Sequence, residues 1–495
     1  MDSKSWYTGL AISSLACVGH YWFRCYKQKL RHPPSPKSLP LVGNIFSIPA
    51  GLDHFAYMEL GKQLNMNIGL TQMHAGDMVY LNMMGQPCLI LNSAQAAADL
   101  LDKRSAKYSD RVSLPMFKDP TLLDWSGFMG LLPYNDVWRH QRRRMNNWLN
   151  ARAVRQFNHL QQDEARLLLG HLLDISESQQ LFEKGKHHAM GSAAFKLGYG
   201  YRLKDDQDPF FLNAVQAMNH FFEAAMMGNF LVNMFPSLIY IPDWFPGTGW
   251  KRTARKWREE NNLAVDAPYE WTKRQATGNF EPSVLSALLQ DHQLLKELAF
   301  IIVAGKSNLM KYRPWNQMSA TGLVNFIAAM VTNPEVQAIA QAEIDSVIGY
   351  ATRLPTISDE ARLPYIRNLI LEVLRWQHVG PTGGAPHACY EDDVYRGYNI
   401  QKGTIVFLNR AMTRDETVYE NPEGFQPDRF CDPNVPPAPG FGWGRRKCPG
   451  IHFAEASLFL IISSLLTTFT ISRKKDKDGN EIIPRVESAS NSVAV

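Results

Sequence analysis

The sequence predicts a mainly α-helical protein with one small β-sheet region, built as a single large domain behind an N-terminal transmembrane helix. Three observations predict this. Apolar residues recur three and four apart from Asn135 onward almost without a break. Strand-like patterns are confined to residues 77–92 and 386–409. No Pro/Gly/Ser linker, internal repeat or low-complexity tract divides the body of this 495-residue chain. Hydrophobic residues make up 45%, enough for a large core, which excludes global disorder. A formal charge of +5 is too balanced for a dedicated nucleic-acid binder, so no nucleic-acid partner is expected. The six cysteines, Cys17, Cys25, Cys88, Cys389, Cys431 and Cys448, form no C-x-x-C pair. A disulfide-stapled scaffold is thereby excluded, and a zinc ribbon or thioredoxin-type site is disfavoured.

Residues 1–5 are read as a lumenal N-terminus, 6–23 as the membrane anchor, 24–40 as a basic, proline-rich hinge and 41–495 as the body. Trp6 to Phe23 is apolar apart from Ser13, Ser14 and His20. As a helix it covers roughly 27 Å, near the thickness of a bilayer's hydrocarbon core. Arg24, Lys27, Lys29 and Arg31 follow it, whereas only Lys4 precedes it, so the C-terminal side is expected in the cytosol. A cleaved signal peptide would carry its basic segment before the apolar run, the opposite of what is seen. Pro33, Pro34, Pro36 and Pro40 fix φ and predict a stiff, extended arm leading to the body.

Within the body, 52–65 reads as a short helix. Residues 77–92 read as a hairpin turning at Gly85-Gln86, and 93–104 as a helix. Residues 105–134 are rich in turn formers. Helical spacing then marks 138–149, 152–173, 184–197, 209–227 and 251–274. One or two long helices are expected over 294–349, another over 360–378, and strands over 386–409. Residues 415–447 are irregular, and 451–469 is a final apolar helix.

Residues 441–450 read Phe-Gly-Trp-Gly-Arg-Arg-Lys-Cys-Pro-Gly. Cys448 stands at the junction of a glycine-rich loop with the last helix. The helix's positive end and Arg445, Arg446 and Lys447 all favour a thiolate there. Gly442, Gly444 and Gly450 let the backbone approach something large and flat, and Phe441 offers an aromatic plug. The pattern Phe441-x-x-Gly444-x-Arg446-x-Cys448-x-Gly450 resembles the haem-ligand signature of the cytochrome P-450 haem-thiolate monooxygenases. The resemblance implies haem b with the Cys448 thiolate as axial ligand. Further matches follow in order. Glu372-Val-Leu-Arg375 resembles the family's E-x-x-R pair, one helical step apart. Phe425-x-Pro427-x-Arg429-Phe430 resembles its meander motif, with Asp428 where many members carry Glu. The resemblance joins Glu372, Arg375 and Arg429 in a buried triad that holds the cysteine loop. Trp138-x-x-x-Arg142 resembles the W-x-x-x-R helix that faces a haem propionate, and His387 falls where members place a propionate-binding His or Arg. Tyr108-Ser109-Asp110-Arg111, Asn333-Pro334-Glu335 and Glu391-Asp392-Asp393 are worded like microsomal fungal members.

That resemblance implies a monooxygenase: one atom of dioxygen enters a C–H or C=C bond, the other becomes water. Electrons would come from NADPH through a flavoprotein reductase docked on Arg143, Arg144, Arg445 and Lys447. The Phe- and Met-rich stretch 210–246 implies a hydrophobic substrate of aromatic, terpenoid or steroid type. Tyr240, Ile241, Trp244 and Phe245 are candidates to dip into the membrane. The implied location is the endoplasmic reticulum membrane, single-pass, with the body cytosolic.

Two stretches depart from the family. Members carry a small-residue run followed by an acid and an alcohol on a central helix, which deliver protons to dioxygen. Counting back from Asn333-Pro334, those positions fall on Gln317, Met318 and Ser319. Gln317 cannot titrate, so Ser319 and Thr321, with Gln317, are the candidates for a distal relay. Residues 305–316, Gly-Lys-Ser-Asn-Leu-Met-Lys-Tyr-Arg-Pro-Trp-Asn, are too polar for a buried helix, and Pro314 interrupts it. Three readings are open: a relay rebuilt from Ser319, Thr321 and water; a haem-thiolate protein with impaired or non-oxygenase activity; or a translated intron, favoured by the normal flanks. The end of the chain, 488–495, falls where members continue into a substrate-facing turn and last strand, so part of the pocket wall is expected to be absent or differently built.

Overall fold

The computed structural model describes residues 32–47, 54–68, 75–174, 191–205, 207–225, 228–275, 283–289, 296–304, 318–377, 385–473, 475–476 and 478–482. The anchor expected over 6–23, the first part of the hinge (24–31), and residues 305–317 and 483–495 lie outside them. Among the described residues one helix, Ile451–Thr468, is long and apolar enough to cross a membrane, and two thirds of it is buried inside the body.

Two sheets form. Strands β1 (Met78–Met83), β2 (Gln86–Leu91), β3 (Asp110–Arg111), β4 (His387–Ala388) and β7 (Ile405–Leu408) make a five-stranded sheet in the order β1-β2-β7-β4-β3. A separate hairpin joins β5 (Asp393–Tyr395) to β6 (Tyr398–Ile400). The β1/β2 hairpin turns through Met84 and Gly85, both at positive φ, the geometry that matches strand twist in a two-residue turn. Strand β7 runs parallel to β2, with Cys88 opposite Ile405. Strand β3 pairs with β4, with Arg111 opposite His387. The proline-rich segment lies against this sheet from His32 on. Tyr80 N donates to the Pro34 carbonyl at 2.8 Å, and the His32 ring stacks on Tyr80 at 4.8 Å. Asn44 N donates to the Asn82 carbonyl and Asn82 N donates to Asn44 Oδ1, both at 2.7 Å.

Three helices position the site. Helix Asp136–Leu149 starts where the Asn135 side chain accepts from Trp138 N at 2.9 Å. It buries Trp138, Gln141, Met145 and Leu149 on one face and leaves Arg139 and Arg143 on the other. Helix Pro364–Trp376 opens with proline at its first position and buries Glu372 and Arg375 among Ile366, Leu369 and Val373. Helix Ile451–Thr468 is buried on most faces and tied to helix Asn158–Asp174, where Gln161 donates to the Phe453 carbonyl at 2.8 Å. It packs in one core with helices Met318–Thr332, Pro334–Ile348 and Pro364–Trp376. A second core lies between helices Asp136–Leu149, Pro209–Ala225, Gly249–Gln275 and Lys296–Ala304.

Several boundaries differ from the sequence reading. Residues 152–173 begin as a tight 3-10 turn, Ala153–Phe157, before helix Asn158–Asp174. The helix expected from 360 starts at Pro364, after a separate 3-10 turn Ile357–Arg362, because proline closes the preceding backbone to α geometry. Residues 294–349 hold three helices in the described part, with a break at Asn333-Pro334. The segment 105–134 is less irregular than its turn formers suggest. It contains helices Ser105–Tyr108 and Pro115–Lys118 and strand β3.

Candidate functional site

The cysteine loop closes on itself. Cys448 N donates to the Phe441 carbonyl at 2.9 Å, and the loop hands over to helix Ile451–Thr468 through Gly450. Cys448 is half-buried. Gly444 has φ +57°, and a Cβ there would meet the Leu101 carbonyl oxygen at 1.9 Å. Backbone packing therefore already demands glycine at 444, and its N–H donates to Asp102 Oδ1 at 2.6 Å. Gly450 stands beside the sulfur: a Cβ added there would lie 3.9 Å from Cys448 Sγ.

Behind the loop the structure brings Glu372, Arg375 and Arg429 together. Arg375 and Glu372 form a two-pronged pair at 2.7 and 2.8 Å, both fully buried. Arg429 Nε reaches Glu372 Oε2 at 3.1 Å. The remaining guanidinium protons go to backbone: Arg375 to the Pro422 and Gly424 carbonyls at 2.8 and 3.1 Å, Arg429 to Glu420 at 2.6 Å. Gln426 N closes the carboxylate's shell at 2.8 Å. One carboxylate and several carbonyls thus satisfy two buried cations.

On another side of the loop stands a group of opposite character. Arg446 is held by the Ser109 and Leu132 carbonyls at 2.8 and 2.7 Å, and its guanidinium lies 4.3 Å from the Trp138 ring centroid. Arg142 donates to the Lys447 carbonyl. His387 is 5% exposed, and its Nδ1 bonds the Tyr108 carbonyl at 2.7 Å. Arg111 donates to the Ala385 and Pro386 carbonyls at 2.5 and 3.0 Å, and its Nε is enclosed with no acceptor. Among the described residues no carboxylate forms an ion pair with Arg111, Arg142 or Arg446. Burial, then repulsion from Arg111 and Arg142, pushes Arg446 down to about 8, although Asp110 pulls the other way. Burial pushes Arg111 down to about 10. His387 is held well below the usual imidazole range by burial and by Arg111, which favours the neutral ring. Arg142 is lowered by burial, and the sulfur of Cys448 opposes that shift.

Three buried guanidiniums with no direct ion pair among the described residues, and Asp110 as a nearby carboxylate, are an environment that an anion would stabilise. Arg111 was not among the residues singled out for this role from the sequence. Its signal was the tetrapeptide Tyr108-Ser109-Asp110-Arg111, but only the β3–β4 register sets it opposite His387. Of the three relay candidates, Ser319 and Thr321 fall on helix Met318–Thr332, while Gln317 lies outside the described residues.

Five aromatic rings from four segments meet near this group. Phe221 lies 5.0 Å from Phe117, 5.1 Å from Trp125 and 5.4 Å from Phe128, and Phe300 meets Trp125 edge-on at 6.0 Å. The 125–132 loop carries two of these rings, and its Met129 and Leu132 carbonyls receive Arg446.

The structure is a mainly helical body with a small sheet, carrying a cysteine loop, a locked ion triad and a group of buried cations. The comparisons with known proteins then place the chain. The Cytochrome P450 family model matches residues 33–294 and 317–491, and the chain belongs to that family. Cytochrome P450 monooxygenase COX2 of Coprinopsis cinerea is 36% identical over 466 residues, covering 91% of this chain and 85% of that protein. Cytochrome P450 monooxygenase claR of Ampulloclitocybe clavipes is 36% identical, covering 98% and 88%. The tryptamine 4-monooxygenase of Psilocybe cyanescens is 32% identical, covering 92% and 89%. A solved zebrafish cytochrome P450 with progesterone shares the fold at a TM-score of 0.66 and 21% identity, covering 85% of this chain and 93% of that one. The chain is an oxidoreductase of the cytochrome P450 monooxygenase class, and its relatives are fungal. The family match skips 295–316, which contains the polar stretch 305–316.

Proposed function

We propose that the protein is a haem-thiolate monooxygenase that inserts one atom of dioxygen into a hydrophobic small molecule. Electrons reach it from NADPH through a flavoprotein reductase, at the cytosolic face of the endoplasmic reticulum membrane. The observation that carries this reading is the group of buried cations Arg111, Arg142 and Arg446, with His387, near Cys448, in which no guanidinium has a direct carboxylate partner among the described residues. It fits haem b: two propionates would supply the missing negative charge, and the sulfur would supply the axial ligand. When bound, the haem supplies the activation of dioxygen, with the thiolate donating electron density to iron.

The residues of this chain do the rest. Arg111, Arg142, Arg446 and Trp138 bind and orient the propionate edge, and neutral His387, its one N–H given to the Tyr108 carbonyl, lines that edge. Phe441 and Gly450 flank the sulfur and keep water from it. The Glu372–Arg375–Arg429 lock fixes the loop so that the sulfur does not wander. Ser319 and Thr321 hold the proton path on helix Met318–Thr332. The rings of Phe117, Trp125, Phe128, Phe221 and Phe300 form the apolar wall that selects the substrate. That wall suits a flat ring system, and one relative is named for acting on tryptamine. Arg143, Arg445 and Lys447 are exposed and offer a basic face to an acidic reductase. Tyr240 and Trp244 are almost fully exposed, as expected of side chains that enter a membrane surface.

The test is the spectrum of the reduced, carbon-monoxide-bound protein. A thiolate ligand moves the main band far to the red of an imidazole-ligated haem, and Cys448→Ala abolishes that band. A band at the imidazole position in the unmutated protein would overturn the reading.

A further inference from the structure

The feature that marks the Cys448 site, a buried guanidinium with no carboxylate, occurs a second time. Arg410 follows strand β7, is 7% exposed, and has its Nε enclosed with no acceptor. Among the described residues its guanidinium enters no ion pair and no hydrogen bond. It is separate from the first group: burial alone lowers its affinity for a proton, whereas Arg446 also feels Arg111 and Arg142.

Arg410 lines a small recess with Leu374, Leu408, Met412, Pro439 and Trp443, and is the sole charged residue in its wall. A guanidinium does not shed its proton to escape such a place. No described residue supplies the balancing charge. Water is a poor candidate, because a buried water needs two to four polar partners and this wall is mostly apolar. Thr413, the wall's other polar side chain, already donates to the Arg410 carbonyl at 3.1 Å. An anion gains charge-assisted hydrogen bonds from the guanidinium itself, which are about twice as strong as the neutral ones a water would make.

We propose that the Arg410 recess is a binding site for a small inorganic monoanion of chloride size, distinct from the Cys448 site. Bound there, the anion bridges the end of β7 to the Pro439–Trp443 segment that leads into the cysteine loop, and so stiffens that loop.

The test uses the haem-loaded full chain in detergent. Crystals grown in sodium bromide are expected to show an anomalous peak against the Arg410 guanidinium. Chloride is expected to raise the unfolding temperature by about 1–3 °C over gluconate at equal ionic strength. Arg410→Met, an apolar side chain of similar length, is expected to lose the chloride response, and Arg410→Lys to keep part of it. An ordered water in place of the bromide peak overturns the proposal, as does an undiminished chloride response in Arg410→Met. The bromide experiment decides the matter even if Arg410→Met does not fold, and neither readout depends on the haem ligand.

Discussion

Two arginine clusters, one built on Glu372 and one that includes Arg446 of the Cys448 loop, solve the burial of charge in opposite ways. The first is closed: Glu372 answers Arg375 and Arg429, and backbone carbonyls take the spare protons. The second is open: Arg111, Arg142 and Arg446 receive carbonyls but no paired carboxylate. A closed cluster serves the fold, because nothing from outside can improve its charge balance. An open one serves a ligand, because burial without a counter-charge is unfavourable until an anion arrives. The arrangement of partners, more than residue type, separates structure from function here.

The comparison can be broken most directly at Glu372. Glu372→Ala leaves two cations buried without their carboxylate, a change that costs about 3–5 kcal/mol. Denaturant unfolding is expected to show that loss, along with little haem-loaded protein on purification. Stability within about 1 kcal/mol of the parent would show that the triad is not the lock its geometry indicates.

The open side gives the opposite expectation. Arg446→Met removes one charge-assisted contact to an anion, worth about 10–100-fold in ligand retention. Transfer of haem to an apo-globin acceptor is expected to speed up by that factor. The haem-free chain should be no less stable than the parent, since a buried unpaired charge has gone. If Arg446→Met instead unfolds the haem-free chain, the open cluster is structural after all.

The smallest effect sharpens the rule with a carboxyl that lacks a paired cation. Glu164 is buried, hydrogen-bonded by Ser192 Oγ at 3.1 Å, and has its other oxygen unpartnered. Burial pushes its carboxyl up to about 7, against the pull of Lys196 and Arg202. Below about 4.5, the ordinary value, folded and unfolded chains both hold the proton. Above it only the unfolded chain ionises, so this contribution to stability falls as pH rises to about 7 and then levels off. Glu164→Gln is expected to remove a fall on the order of 1–2 kcal/mol between those limits. Parallel pH–stability curves for the two proteins would show that Glu164 does not titrate this way.

Much of the site could be read from local sequence, because its parts lie on short stretches with fixed geometry. Glu372 and Arg375 are one helical step apart, so their pairing follows from helix spacing alone. Trp138 and Arg142 share a helix whose start is set by Asn135. The ten residues around Cys448 carry their own turn chemistry. Periodicity gave the helices, but prolines moved their edges, as at Pro364 and Pro334.

What the sequence determined by itself is therefore the family, the helical class and the identity of the sulfur, since each rests on residues within a turn or two of one another. Tertiary structure alone decided that Arg111 faces His387 across a strand pair, that Gly444 is dictated by the Leu101 carbonyl, and that Arg410 Nε is enclosed with no acceptor among the described residues. Those facts depend on strand register and on which carbonyls or carboxylates arrive from hundreds of residues away. Charge balance inside a protein is a property of the assembled neighbourhood, and no local pattern encodes it.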